Sequence, residues 1–371
     1  MSSLDNNAQY PVGEHPNWEP PVSNVGVIGW MKHNLFSSRL NTILTLLAIY
    51  LLYTVIPPVV QWAILDADWV GSSKADCTGE GACWVYINVW WKQIMYGRYP
   101  DAELWRVQTA YVLGLVGLIP LMIPNFPKKK WISAYLLLLF PFMAYVLFSG
   151  DNLGLKLVET PLWGGLFLTL VIAITGIVAS LPLGILLALG RRSNMPVIKT
   201  LCILFIEFWR GVPLITVLFM ASVMFPLFLP QGVNFDQLLR ALIGVALFAA
   251  AYMAEVVRGG LQAIPKGQYE AAQALGLSYW KTTIFIIMPQ ALKLVIPGIV
   301  NVFIALFKDT TLVSIIGLFD FLGMIQLVNT NPDWLSFAIE GYVFAAVIFW
   351  FFCFGMSRYS QHLEKKLHTG H

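Results

Sequence analysis

Long apolar runs alternate with short polar segments along most of this chain. A transmembrane helix needs about 20 predominantly apolar residues, and eight runs approach or exceed that length. These runs are residues 42–65, 107–124, 132–149, 163–189, 205–229, 239–257, 284–306 and 337–356. The pattern predicts an all-α fold, a polytopic membrane protein with about eight transmembrane helices.

The polar connection between the sixth and seventh runs, residues 258–289, has the pattern of a helix that lies across a surface. Within it, apolar residues recur at steps of three and four positions, which predicts an amphipathic helix over residues 268–280. The residues of its apolar face are Ala271, Ala272, Leu275 and Tyr279. From the pattern alone, this helix either rests on lipid headgroups or lies against a partner.

The composition supports the membrane assignment. Of 371 residues, 58% are hydrophobic and only 12% are charged, which excludes an ordinary soluble domain. The formal net charge of +3 gives no support to a nucleic-acid partner. Cys77 and Cys83 bracket the polar turn CTGEGAC, and the sequence leaves open whether they form a disulfide or remain free thiols.

Lys and Arg residues indicate the orientation of the helices. If both termini lie on the cytoplasmic side, most of the Lys and Arg residues of the connections lie on that side too, as the positive-inside rule requires. The polar segment 258–289 then faces the cytoplasm, and residues 66–106 form a large outer loop rich in tryptophan. We interpret these tryptophans as anchors at the membrane surface, with solute recognition or partner docking as alternatives.

Ionisable residues in or beside the apolar runs mark candidate functional positions, because charge in lipid is costly. Glu207 and Arg210 are three residues apart, a spacing that allows an intrahelical ion pair, and Gly211 and Pro213 then interrupt the helix. Glu255 is predicted to pair with Arg258 in the same way. These residues are either structural ion pairs or parts of a translocation path or gate.

A second group of candidates is expected at the end of the seventh run. Asn301 and Lys308 are seven residues apart, two helical turns, so both are expected on one face. Asp309 and Thr310 follow directly. This face either lines a translocation path, or Lys308 extends its ammonium group towards the membrane surface.

Motifs for nucleotide, metal or covalent chemistry are lacking. The nearest approach to a phosphate loop is GLSYWKT, where Trp280 occupies a position that requires glycine. No metal-ligand cluster and no catalytic set is recognisable. We therefore expect a chain that is not an enzyme and binds no cofactor.

The spacing of residues in the polar segment resembles the EAA motif of importer-type ABC permeases. Glu270, Ala271 and Ala272 are followed at the family's spacing by Gly276 and Pro289. Met288 stands where leucine is usual. The resemblance implies a coupling loop that docks on a separate ATPase: the carboxylate meets basic groups, the alanines permit close approach, Gly276 permits a break between two short helices, and Pro289 starts the next helix.

Further motifs are similar to those of histidine and polar amino-acid importers. They are WGGLFLTL, LPLGILLALGRRS, FIEFWRGVPL and KDTTLVSIIG, and in the first half GACWVYI, YGRYP and ELWRV resemble the M-type permease of general L-amino-acid importers. The resemblance implies a type I ABC importer permease core, residues 151–371 with the coupling loop 258–289. Before it come a cytoplasmic tail, 1–40, and a three-span extension, 41–150, with the periplasmic loop 66–106.

The same resemblance implies a function and a set of partners. The chain would be a permease subunit in the bacterial inner membrane, with both termini cytoplasmic, that moves L-amino acids of a broad polar range inward. Its partners would be a second homologous permease, a dimeric cytoplasmic ATPase that carries ATP and Mg, and a periplasmic binding protein. Alternatives are import of another small polar solute, such as an opine or an amino-acid derivative, and an ATPase-independent secondary transporter or channel.

Overall fold

The computed structural model describes residues 26–123, 126–150, 154–230, 232–233 and 235–367. This part of the chain is helical, as predicted. The helices are α1 (Gly26–Asn34), α2 (Arg39–Val60), α3 (Val85–Tyr96), α4 (Leu104–Met122), α5 (Lys129–Ala134), α6 (Phe140–Ser149), α7 (Gly165–Arg191), α8 (Pro196–Gly211), α9 (Leu214–Phe219), α10 (Gln237–Ala263), α11 (Lys266–Ala274), α12 (Tyr279–Thr282), α13 (Met288–Leu294), α14 (Ile296–Asp309), α15 (Phe321–Val328) and α16 (Ala338–Leu367).

Prolines shape several of these helices. A proline lacks an N–H group and its ring clashes with the carbonyl four residues earlier, so a widened π-turn before it lets the helix continue. Such turns are Tyr135–Leu139 before Pro141, Met220–Met224 before Pro226, and Thr283–Ile287 before Pro289. The last of these joins α12 to α13 without a break.

Seven helical stretches among the described residues are long and apolar enough to cross a membrane. They are Arg39–Leu65, Asp101–Met122, Lys129–Ser149, Gly165–Arg191, Gln237–Ala263, Ile296–Ile316 and Pro332–Leu367. The pair Pro196–Gly211 and Leu214–Phe228, bent by 103°, makes an eighth if it is one span. The predicted number of about eight is therefore confirmed.

The seventh span lies further along the chain than predicted. The sequence places it at 284–306, but the structure breaks the helix at Val295, and the apolar span runs over Ile296–Ile316. Pro297, in the first turn of α14, cannot supply an N–H group to the preceding helix, so the long apolar run divides there. Lys308 and Asp309 consequently lie within the span and not beyond its end.

Residues 26–68 and 78–82 form one compact unit. Ser38 caps α2 by accepting a hydrogen bond from the Asn41 N–H, and Thr45 donates to the carbonyl of Leu35 at the end of α1. Residues 1–25 of the predicted tail lie outside the described residues.

The second compact unit contains residues 69–77 and 83–367, and α7 and α10 form its centre. A stripe of small residues on α7 lets α10 approach closely, the usual way in which membrane helices associate. The buried members of this stripe are Gly176, Ser180, Gly184 and Ala188. A side chain at Gly184 would press on Met253 of α10, so the two helices are in close contact at this point.

Two further clusters of buried hydrophobic residues lie at the two ends of the α7–α10 pair. At the α3 end, α3 packs with α15 and α16 around Tyr86, Phe321 and Ile325. At the α11 end, Ala188, Ile206 and Val257 pack together with residues of α13. Residues 83–150 pack with the later helices in one compact unit. The boundary near residue 150 is drawn from the sequence alone, and it stays a prediction.

Candidate functional site

The polar segment folds as two short helices joined at Gly276. The backbone N–H of Leu277 donates to the carbonyl of Ala272, and that of Gly276 to Gln273, at 3.1 and 2.9 Å. This pattern ends α11, and it places Gly276 at φ +70°, a conformation that glycine adopts without strain. The continuous helix predicted over 268–280 is therefore wrong, whereas the break at Gly276 that the motif implied is present.

The exposed side of this segment carries both charge and large apolar side chains. Ala272 is buried against the helices above it, while Glu270 and Ala271 are exposed. Leu275 is 77% exposed and Trp280 is 58% exposed. The predicted single apolar face is wrong, because the break at Gly276 places Tyr279 on a different helix and only Ala272 of the four residues is buried. We call the exposed set the coupling surface: Glu270, Ala271, Leu275, Tyr279 and Trp280.

Side-chain contacts on two sides hold α11 to the neighbouring helices. The Gln290 side chain of α13 donates to the Gln268 side chain at 3.1 Å. On the other side, Arg192 at the end of α7 donates to the Tyr269 hydroxyl at 3.2 Å and lies over its ring. Pro289 is in the first turn of α13, as predicted.

A network of ion pairs joins α7, α8 and α10 near α11. Glu255 of α10 accepts from Arg191 of α7 at 2.8 Å and from Arg258 at 2.7 Å, and Arg210 of α8 approaches it to 3.7 Å. Glu207 of α8 also accepts from Arg191, at 2.8 Å. We call these five residues the arginine network; it carries three positive and two negative charges.

One of the two predicted ion pairs is confirmed and the other is wrong. Glu255 pairs with Arg258 as its spacing predicts. Glu207 and Arg210 do not pair with each other, because Arg191 reaches Glu207 from α7 and Arg210 turns to Glu255. The Glu255 side chain is 15% exposed and that of Glu207 is 54% exposed, so Glu255 is the centre of the network.

The network adjoins a sharp bend between two helices. Residues Gly211–Pro213 end α8 and redirect the chain by 103° into α9, as the glycine and proline predict. Arg210 directly precedes the bend and also lies 5.8 Å from the ring centre of Tyr252. Beyond the bend, a largely apolar groove of about 350 Å³ lies between α8, α9 and α10.

The candidates on α14 fall in two different environments. Asn301, Ala305 and Lys308 are all exposed, and their spacing of four and three residues puts them on one helix face, as predicted. Asp309 is half-buried. Thr310 is buried, and its hydroxyl donates to the carbonyl of Phe307 at 2.8 Å, so this hydroxyl is already occupied.

At the α3 end, the structure joins Cys77 and Cys83 in a disulfide with 5.6 Å between the Cα atoms. The N–H of Cys83 donates to the buried carboxylate of Glu340 on α16 at 3.2 Å, which ties this loop to the last helix. Sequence reasoning missed Glu340, whose partner lies 257 residues away.

Sequence reasoning also missed Asp320, which is fully buried at the start of α15. One carboxylate oxygen accepts from the N–H of Gly323 at 2.9 Å, and the other has no hydrogen-bond partner among the described residues. Burial raises the pKa of Asp320 to about 6, against the opposing hydrogen bonds from Gly323, Leu322 and Thr169. An aspartate directly before an apolar run is a helix-start signal that was available in the sequence.

Comparison with known proteins agrees with these features. The model of the family "Binding-protein-dependent transport system inner membrane component" matches residues 180–369. The inner membrane amino-acid ABC transporter permease protein YhdY of Escherichia coli (strain K12) is 57% identical over 96% of this chain and 97% of its own length. BztC of Rhodobacter capsulatus, a glutamate/glutamine/aspartate/asparagine transport system permease protein, is 42% identical over 95% of this chain and 96% of its own.

A solved structure described as an amino acid ABC transporter with histidines is 28% identical in sequence to this chain. The match covers 54% of this chain and 92% of the solved chain, with a TM-score of 0.49. The family match covers α11 and the helices that support it, and the two relatives match nearly the whole sequence. The chain therefore belongs to the inner-membrane permeases of binding-protein-dependent amino-acid ABC transporters.

Proposed function

We propose that this permease imports polar L-amino acids of a broad range, from the periplasm to the cytoplasm. The names of the two relatives support this substrate class, since one is an amino-acid permease and the other names two acidic amino acids and their amides. We test it by uptake into vesicles that contain the complete transporter, ATP inside and binding protein outside, with a panel of labelled amino acids. Uptake of no amino acid, or only of another solute, would overturn it.

A permease of this family works with a solute-binding protein and an ATPase, and it does not itself hydrolyse ATP. We propose that the ATPase is a cytoplasmic dimer that binds ATP and Mg, while this chain binds no cofactor. A second homologous permease completes the membrane part. The distribution of Lys and Arg supports an orientation with both termini and α11 on the cytoplasmic side.

The coupling surface is the observation that carries the docking proposal. Large apolar side chains exposed on a polar segment are typical of a surface that a partner covers, and Glu270 adds a carboxylate for a basic group of the partner. ATP-driven movement of the ATPase then shifts the permease between two orientations, which requires that the ATP-bound ATPase binds one of them more tightly.

The test of docking uses a charge reversal with a matched control. Glu270→Lys places a positive charge on the coupling surface, and we expect the ATPase to be lost from the purified complex. Glu364→Lys makes the same substitution at an exposed position near the end of α16, and the ATPase should stay bound. Equal retention of the ATPase by both variants would contradict docking at this surface.

We propose that the solute passes the exposed face of α14, where Asn301 and Lys308 offer polar groups to a charged solute. We also propose that Arg210 and Glu207, which lie on α8 just before its bend into α9, form part of a gate. Asn301→Cys, in a background in which Cys202 and Cys353 are serine, should react with a water-soluble thiol reagent. Phe351→Cys, an exposed apolar position on α16, should react far more slowly because it faces lipid. Protection of Asn301→Cys by transported solute would support the path, and similar rates at both positions would contradict it.

A further inference from the structure

Two neighbouring arginines at the end of α7 reach towards different parts of the molecule. Arg191 bridges the carboxylates of Glu207 on α8 and Glu255 on α10, with 2.8 Å to each. Arg192 donates to the backbone carbonyl of Leu261 on α10 at 2.7 Å and to the hydroxyl of Tyr269 on α11 at 3.2 Å. Arg191 thus belongs to the arginine network, and Arg192 contacts α11.

The contact between Arg192 and Tyr269 is more than a single hydrogen bond. The guanidinium carbon lies 5.8 Å from the centre of the tyrosine ring, within the range of a cation–π interaction. The tyrosine hydroxyl in turn donates to the carbonyl of Leu261 at 3.4 Å. Three groups from α7, α10 and α11 therefore meet at one point, and Tyr269 is half-buried in that contact.

Two of the helices that carry these contacts, α7 and α10, pack closely against each other. The small residues of α7 let it pack tightly on α10, and Gly184 leaves no room between the helix and Met253. A displacement of α11 at Tyr269 therefore acts on α7 and α10 together. Both helices contact α8: Ile206 packs between them, and Arg191 binds Glu207, four residues before the bend at Gly211.

We infer that Arg191 and Arg192 are positioning residues that relay movement of α11 to the bend between α8 and α9. Arg192 holds α11 against the α7–α10 pair. A displacement of α11 therefore moves this pair and does not merely bend the segments that connect α11 to its neighbours. Arg191 passes the displacement to α8 through Glu207, and Glu255 fixes Arg191 and Arg210 on either side. The inference rests on the proposed docking of an ATPase on α11.

The relay predicts uncoupling without loss of the ATPase. In vesicles that contain the complete transporter, Arg192→Gln should lower the amount of solute transported per ATP hydrolysed by about 10-fold, while the ATPase still copurifies. Tyr269→Leu should have the same effect. Because both substitutions remove the same contact, the double variant should be no worse than either single one.

Conservative variants separate a relay from a general structural role. Tyr269→Phe keeps the ring under the guanidinium, and we expect it to retain most of the coupling. Arg192→Lys keeps the charge but not the planar group, and we expect coupling between that of the native protein and that of Arg192→Gln.

The matched control is the contact of α11 with Gln290 on α13. Gln290→Met keeps the length of the side chain and removes its hydrogen bond to Gln268, without touching either arginine. It should leave transport per ATP near that of the native protein. Loss of coupling in Gln290→Met equal to that in Arg192→Gln would overturn the relay, as would additive losses in the double variant. If the ATPase does not copurify even with the native chain, the docking proposal itself fails.

Discussion

Arg191 donates a hydrogen bond of 2.8 Å to Glu255, although the two residues are 64 positions apart in the sequence. Glu255 lies within ion-pair distance of Arg210 and Arg258 as well, so a single carboxylate faces three guanidinium groups. Removal of that charge leaves three partly buried cations with only Glu207 for compensation. The stability of the α11 end therefore depends on Glu255 far more than on any other acid of the network.

The first prediction compares the two acids of the network. Glu255→Gln should lower the free energy of unfolding by about 3 kcal/mol, because it leaves partly buried charges without their partner. Glu207→Gln, at an exposed carboxylate with one arginine partner, should cost less than about 1 kcal/mol. Thermal unfolding of the purified protein in detergent measures both. Equal losses in the two variants would contradict the central role of Glu255.

The bilayer explains why so much of the fold follows from the sequence. A span must be apolar over a fixed length, so the number of helices and most of their positions follow from hydrophobicity alone. Local contacts follow too: Glu255 and Arg258 are three residues apart on one helix. Arg191 joins Glu207 and Glu255 only after α7, α8 and α10 have packed, so nothing near these glutamates in the sequence indicates that they share Arg191 as a partner.

The second prediction concerns Gly276. Gly276→Ala meets no neighbouring atom, since nothing lies within 4 Å of the added carbon, but the backbone conformation at φ +70° costs about 1 to 2 kcal/mol for alanine. We expect weaker binding of the ATPase. Gly267→Ala, in ordinary helical conformation within α11 and also without neighbours, should not weaken it. Similar binding by both variants would show that the break at Gly276 does not shape the docking surface.

The third prediction concerns the start of α7, where Gly165 has φ +63° and a β-carbon added to it would overlap the carbonyl oxygen of Ile94. Gly165→Ala would collide with the carbonyl oxygen of Ile94, and we expect a loss of about 3 kcal/mol in the free energy of unfolding. Gly355→Ala, where no atom lies within 4 Å, is the control and should unfold at or above the native temperature. Thermal unfolding in detergent distinguishes the two, and a native-like Gly165→Ala would mean that α3 moves away from α7 freely.

Some features that the structure adds had a signal in the sequence. The small residues Gly176, Ser180, Gly184 and Ala188 recur at every fourth position, which predicts a helix-packing face. The disulfide differs, because two cysteines around a polar turn allow either redox state, and only the 5.6 Å between their Cα atoms in the folded loop brings them within bonding reach.

The last prediction follows from the burial of Asp320, which raises its pKa from 3.8 to about 6. Because the folded protein holds this proton more tightly than the unfolded chain does, the contribution of Asp320 to the free energy of unfolding is largest below about pH 4 and falls as the pH rises to about 6. The loss amounts to about 3 kcal/mol, and above that range it stays constant.

Asp320→Asn removes the titration and keeps an oxygen that can accept from the N–H of Gly323 and cap α15. We expect this variant to unfold at a higher temperature than the native protein at neutral pH, and its unfolding temperature to vary less between about pH 4 and pH 7. Asp333→Asn, at an exposed carboxylate, should keep the native pH dependence. If Asp320→Asn kept it as well, the orphaned oxygen of Asp320 would have to be paired or hydrated in the folded protein, because a buried carboxylate without a partner must lose stability on ionisation.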